Sequence, residues 1–556
     1  MLYWDQIVDL SIIMLYNLIG VIPLFSERCK IMKKLIVIFL ALVMILSAFA
    51  SCGDGSVNSS PQKTTPKAPD TPDTPGGEEV PENEQLNIDL DKINYEGDTV
   101  TIFHWQGIKN SAEFGMEPDD ILNNAVNDAV YKRNLAVETE LGIDIEWAAN
   151  SNVGYTKTRK FIDNLETRVS DPTTPVDIIA ASMRSLPFFM VEGHLTELNT
   201  YSDTLDLDKA WWPGDIQDTA AVKGNLYFVS GDIATSLLNY MTVLFVNRTR
   251  LEQIGQNYDE FMQKVKNGEW YFDDLIALTT GEWEDIDNVK GPSYDDKFGL
   301  VTVYYMSDGL YTGLGYKYMS QSTKDNEYLR LSSHIAGETA MQYVQKMKDW
   351  QATNDFFMNF LEPNEYRYEE PFVNGLALFC INKASYGFTL QDSTVKFACL
   401  PCPKLDENQK RYYTNMQGTY TGYSISVTSP DYDRAAQTVQ ALGYYGFKET
   451  TPAVFEVSFQ GKFAKDDYNI EMFNIIRESV VFDTGKIYDY FVATHQLGFD
   501  LEYIICNVVS YGIKGNELGQ DTNFNFANTA DPVRKTIQEC INESNKEILD
   551  FIESDN

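Results

Sequence analysis

VKGNLYFVSGDIATSLLNYMTVLFVNRTR, residues 222–250, is the stretch whose reading decides the fold. Leu226–Val229 is a short apolar and aromatic run, Gly231 and Asp232 punctuate it, and Thr242–Val246 is a β-branched run that stops at Asn247. Apolar runs bounded by Gly, Asp and Asn read as two buried strands flanking a loop. Asn239, Tyr240 and Met241 stand just ahead of the second strand. A tyrosine in that place either packs into a core or faces a cleft, and the residues alone leave both readings open.

Upstream, DTVTIFHWQ (98–106) alternates as a strand whose end presents His104, Trp105 and Gln106. A helix follows, capped at Asp119 or Asp120, with Leu122, Val126, Val130, Val137 and Leu141 at helical spacing until Gly142 stops it. IDIEW (143–147) is the next strand, and a charged helix over 156–169 leads to the strand Val176–Ala180. This β-helix-β order predicts a parallel, doubly wound sheet. Such sheets bind ligands beyond the carboxyl ends of their strands, which selects Trp105, Gln106, Ser182, Met183 and Arg184.

With 556 residues, 44% of them hydrophobic, the chain can bury large cores, and its length suggests more than one lobe. A net charge of −37 argues against nucleic acid and anionic membrane surfaces, since counterion release needs clustered Lys and Arg. The 33 tyrosines and 31 phenylalanines supply flat faces that suit sugar rings and ordinary cores alike. Seven scattered cysteines do not make a disulfide framework. Cys399-Leu-Pro-Cys402 is the one close pair, and without a thioredoxin-like context it reads as buried thiols or an incidental disulfide ahead of a redox or zinc site. Glu282, Asp285 and Asp287 do not meet the calcium-loop pattern and read as a solvated acidic turn. No metal or cofactor is expected.

Several ordered segments resemble the extracellular solute-binding proteins of bacterial ABC importers, family 1, the sugar-binding type. GNLYFVSGD followed by LFVNRTRLEQIG resembles that family's "GKLYF…GD…FxN(K/R)xLxExxG" run. VDIIAASMRSLPFFMVEGHLTEL, LDLDKAWWPGDI, NGEWYFDDLIALT, EPFVNGLALFCINKASYGF and KFACLPCPKLDENQKRYY are also similar to family segments. The resemblance implies an α/β, two-lobe periplasmic-binding-protein-like fold (class II, maltose-binding-protein-like) with a hinge and an interlobe cleft. It implies lobe 1 over 85–243 and 403–475, and lobe 2 over 244–402 and 476–556. It adds Asp232, Tyr240, Ser385 and Tyr386 to the ligand-binding candidates Trp105, Gln106, Ser182 and Arg184. The aromatic residues would stack on sugar rings and the polar ones pair with hydroxyls, although Ser182 and Asp232 also suit turn or cap roles. Trp211 and Trp212 read as packing, since two adjacent tryptophans cannot both face a cleft from regular structure.

Residues 32–52, MKKLIVIFLALVMILSAFASC, are a secretory signal ending in a lipobox-like sequence that makes Cys52 the expected lipidated N-terminus. Residues 1–31 read as an upstream extension outside the mature protein. Residues 52–84, rich in Pro, Thr and Ser, cannot form a core and read as a disordered tether reaching roughly 30 Å as a flexible coil. The expected protein is a monomeric lipoprotein at the extracellular face of the membrane, held there by its lipid alone. It would capture an oligosaccharide and deliver it to ABC permease subunits. Two other classes compete with it: a secreted glycoside hydrolase, and a polysaccharide-binding surface protein without transport. Hydrolysis needs two carboxylates at defined separation, and neither such a pair nor a nucleophile, metalloprotease or phosphate-loop motif is visible.

Overall fold

Each of the first three strands is followed by a helix that returns the chain to the same end, so the three pair in parallel. They are β1 (Asp98–Trp105), β2 (Ile143–Asn150) and β3 (Ile178–Ser182), and the intervening helices are Ala125–Leu141 and Thr158–Val169. The structure, a computed structural model, describes residues 85, 86, 88, 93–106, 113–115, 125–150, 157–213, 215–359, 366–459, 467–494 and 532–555. All belong to one unit, Glu79–Asn556. The expected signal, Cys52 and tether lie outside the described residues, as do the helix caps Asp119 and Asp120.

The remaining strands are β4 (Thr242–Asn247), β5 (Phe298–Val303), β6 (Met319–Gln321), β7 (Leu329–Leu331), β8 (Phe356–Asn359), β9 (Ala377–Lys383), β10 (Phe397–Leu400) and β11 (Thr421–Ile425). One sheet has the order β11-β3-β1-β2 and a second the order β10-β4-β9-β5-β8. The architecture is two-lobed. Neither sheet is wholly parallel, contrary to the expectation for the first. β11 runs antiparallel to β3, and β4 antiparallel to both β9 and β10. β4 and β11 are the strands that arrive from the other lobe, so they enter from the opposite end. β3 and β4 are buried along their whole length, which is why both read as unbroken apolar runs.

The stretch 222–250 forms one strand, not two. Leu226–Val229 makes a single bridge, Val229 to Tyr423, and is otherwise held by scattered bonds: Leu226 N donates to Asn199 Oδ1 (2.7 Å), Leu226 O accepts from Leu198 N (2.6 Å) and Tyr227 O from Ser424 Oγ (2.5 Å). The expected loop contains a short helix, Thr235–Tyr240, which hands the chain to β4. Gly231 is needed where the chain passes beneath the two tryptophans: a Cβ there would lie 2.4 Å from Trp211 O and 2.7 Å from Trp212 Cε3. Both indoles are buried as packing residues, Trp211 Nε1 donating to Gln440 Oε1 and Trp212 Nε1 to Leu205 O, each at 3.0 Å.

Three segments lie side by side where the lobes join. Thr242 N donates to Asn415 O (2.9 Å), Thr414 N to Ser479 O (2.7 Å) and Val481 N to Thr414 O (3.1 Å). The C-terminal helices reach both sheets. Helix Asp467–Glu478 packs on β10 and on helix Tyr258–Lys266. Helices Asp489–Ala493 and Pro532–Asp555 pack against the elements at 183–191 that follow β3, and the long helix also reaches β7. An amphipathic helix advertises an apolar face but not which sheet will cover it. Hairpin β6–β7 also leans on the first lobe, Gln321 Nε2 donating to Asp218 O, Thr219 O and Ala221 O at 2.8–3.1 Å.

Candidate functional site

The carboxyl ends of β1 and β3 and the start of β11 form one edge of the first sheet. The carboxyl ends of β5 and β9 and the start of β4 form one edge of the second. The segment Asn415–Tyr420 links them. Tyr420 O accepts from Met183 N (2.9 Å) at the end of β3, while Gln417 N donates to Tyr240 O (3.2 Å) and Gln417 Nε2 to Tyr305 O (3.4 Å). Three residue steps separate Gln417 from Tyr420, so the two edges are joined across at most about 11 Å of chain. This seam is the place where the two sheet edges come together.

The expected site residues divide on inspection. Trp105 ends β1 but turns inward: it is buried, and its Nε1 donates to Thr421 Oγ1 at 3.0 Å. Gln106, the next residue, is exposed. Ser182 ends β3 with a buried Oγ that has no hydrogen-bond partner among the described residues. Arg184 is not open to a ligand, because Asp489 holds its guanidinium in a buried two-point ion pair, Nε to Oδ1 at 2.8 Å and Nη2 to Oδ2. Asp232 is likewise consumed: fully buried, it accepts from Arg477 Nε at 3.0 Å, from Arg477 Nη2 at 2.7 Å and from Thr451 Oγ1 at 2.9 Å. Burial pushes its carboxyl pKa up, and the Arg477 guanidinium pulls it back.

On the second lobe Tyr240 is half-buried with the Lys383 ammonium 5.1 Å from its ring centre. Ser385 is half-buried and donates its N–H to Asn239 O (3.1 Å). Tyr386 is a core residue, packed edge-on to Phe245 with centroids 5.4 Å apart, and its hydroxyl donates to Glu369 O at 3.2 Å. Burial raises its hydroxyl pKa far above the ordinary value. Gln106, Ser182, Tyr240 and Ser385 therefore stay at the seam, whereas Trp105, Arg184, Asp232 and Tyr386 are fixed by internal partners.

Other residues at the same edge escaped the sequence reading. Tyr304 and Tyr305 follow β5 directly, half-buried, with rings perpendicular at 5.2 Å. Phe298–Tyr305 reads from its composition as one strand, but β5 stops at Val303, which puts both tyrosines at its carboxyl end. Glu369 accepts from Asn382 Nδ2 (2.8 Å); burial raises its carboxyl pKa and lowers that of the neighbouring Lys383 ammonium, each charge partly restoring the other. Asn239 Oδ1, one residue before Tyr240, is buried without a partner among the described residues.

Cys399 and Cys402 are free, buried thiols. Burial pushes Cys399 well above the ordinary thiol range and Cys402 up to about 12, as suits thiols that pack in a core. Asp285, Asp287 and Asp296 gather their carboxylates within 4.8 Å, but the turn supplies their donors, among them Ile286 N and Ser293 N to Asp296 and Ser293 Oγ to Asp287. Glu282 pairs instead with Arg250 at 2.7 Å. No helix among the described residues is long and apolar enough to cross a membrane.

No family model matches the sequence, and no curated protein matches it. Solved structures are similar to it. A cyclo/maltodextrin-binding protein complexed with maltotetraose aligns with 82% of this chain and 98% of its own at 14% identity and a TM-score of 0.48. An ABC transporter solute-binding protein from Thermotoga lettingae, bound with α-D-tagatose, aligns with 81% of this chain and 100% of its own at 14% identity and a TM-score of 0.46. The Listeria monocytogenes ABC substrate-binding protein in complex with cycloalternan aligns with 81% and 98% at 11% identity and a TM-score of 0.44.

Proposed function

We propose that this chain is a substrate-binding lipoprotein that holds an oligosaccharide in the seam between its lobes and passes it to an ABC permease. The observation that carries the reading is the composition of the seam. Half-buried tyrosines Tyr240, Tyr304 and Tyr305 offer flat faces for sugar C–H groups, and two buried polar atoms, Ser182 Oγ and Asn239 Oδ1, lack partners among the described residues. Buried polar groups are nearly always hydrogen-bonded, so an orphan at a strand end is the kind of group that a ligand hydroxyl satisfies. Gln106 and Ser385 add further donors and acceptors at the rim. The ordered sequence segments that resemble sugar-binding importer receptors support the same reading. Binding and release, with no bond broken, make up the whole activity.

A thermal-shift screen against mono-, di- and oligosaccharides and short peptides tests the ligand class. A ligand at about a hundred times its dissociation constant adds roughly 2.7 kcal/mol to the folded state, and an oligosaccharide is expected to give that shift. A shift from peptides alone would refute the carbohydrate assignment. Any oligosaccharide recovered from the incubation should be uncut.

The lipid anchor is a separate part of the proposal, resting on the signal and the Cys52 lipobox. Cys52→Ala is expected to lose metabolic acyl labelling. Retained label on that variant would show that the lipid, if any, is elsewhere.

A further inference from the structure

Away from the seam, a cavity of about 350 Å³ opens between the end of helix Tyr258–Lys266, the return segment after β10 and the end of helix Asp467–Glu478. Its walls carry four cations, Lys266, Lys404, Lys410 and Arg411, against a single acid, Glu478. This is unexpected in a chain of net charge −37, where 81 acidic side chains compete for 44 basic ones. Lys266 has a partner in Glu471. The other three have no carboxylate partner among the described residues. Lys404 is buried, donates its Nζ to Gln409 O at 2.9 Å and lies 5.2 Å from the ring centre of Tyr271. Lys410 is exposed, and Arg411, also exposed, rests its guanidinium 5.2 Å from the ring centre of Tyr413. Burial, then the nearby Lys410, push the Lys404 ammonium pKa down, and the carboxylates of Asp406 and Glu269 pull it part of the way back.

Four cations around one wall carboxylate repel one another, and an anion of two charges placed among them lowers that cost. Gly268, in the left-handed region at φ +76°, forms the wall nearest the buried ammonium; its missing Cβ would lie 3.6 Å from Lys404 Nζ. The volume falls in the range of small-molecule sites. We infer that this cavity binds a phosphate-class dianion, either inorganic phosphate or the phosphate monoester of a small organic molecule, with Lys404 as its buried anchor and Lys410 and Arg411 at its mouth. Ser479 also lines the cavity, its Oγ bonded to Thr414 Oγ1 at 2.8 Å, so the ligand would sit against the segments that join the lobes.

Titration calorimetry of the full-length protein in detergent, at constant ionic strength, with inorganic phosphate and separately with glycerol phosphate, tests the inference. Saturable binding is expected. Lys410→Ala should weaken it about tenfold and Lys410→Ala/Arg411→Ala further, as suits charge-assisted contacts. The melting temperature without anion should not move, since both side chains are exposed. Binding of both anions assigns the site to the phosphate group itself, and binding of glycerol phosphate alone assigns it to an organic ester. Equal affinity in the wild type and the double variant, or no saturable heat from either anion, overturns the inference.

Discussion

Asp232→Ala is expected to cost the fold about 3–5 kcal/mol, the penalty of leaving the Arg477 guanidinium buried without its counter-charge. The pair is sealed from solvent: Asp232 is 0% exposed and Arg477 5%. It also joins parts of the chain that are 245 residues apart, the turn after Val229 and the helix that ends at Glu478. Urea denaturation should show a lower midpoint at an unchanged slope. Replacing both partners together, Asp232→Leu with Arg477→Met, should recover much of the loss, because no charge is then stranded. A ligand-contacting aspartate would behave the other way, losing sugar affinity while the midpoint held.

Lys486→Ala is expected to cost a comparable amount. Lys486 is buried where the lobes join, its ammonium donating to Asp308 Oδ2, to Asn415 Oδ1 and, at 3.3 Å, to Met416 O. Asp308 opens helix Asp308–Gly313 of the second lobe, and Asn415 lies in the segment that links the two sheet edges. Three residues on, Asp489 holds Arg184 of the first lobe. The span Lys486–Asp489 thus ties both lobes and the link between them. Removing the ammonium strands a buried carboxylate, at about 3–5 kcal/mol. A midpoint within about 0.5 kcal/mol of wild type, the range of ordinary surface changes, would show that the span bears no such role.

The same long-range pairs mark the limit of what the sequence discloses. Thr242–Val246 and Val176–Ala180 are legible as strands because a strand buried on both faces is largely apolar, and the structure holds strands over Thr242–Asn247 and Ile178–Ser182. Leu226–Val229 has the same composition but pairs at one residue only, since nothing local says how much of a run will find a partner. Trp105 was placed correctly at a strand end, yet which way the indole points depends on Thr421, 316 residues later. Asp232 reads as a ligand group or a turn residue until Arg477 is seen against it, and Arg184 reads as a ligand group until Asp489 is. Polar residues are ambiguous in just this way: the same side chain serves a ligand or a distant partner, and only the folded chain decides.

The seam is tested most directly by titrating the oligosaccharide that gives the largest thermal shift into wild type, Tyr240→Ala and Tyr305→Ala. Both tyrosines are half-buried at the edge of the second sheet, not packed in its core. Each substitution is expected to weaken binding by tenfold or so, the loss of about 1.4 kcal/mol of contact, while the melting temperature without sugar stays near that of wild type. Variants that melt several degrees lower but bind the sugar as tightly as wild type would contradict the account, because the tyrosines would then be supporting the core and the ligand would lie elsewhere.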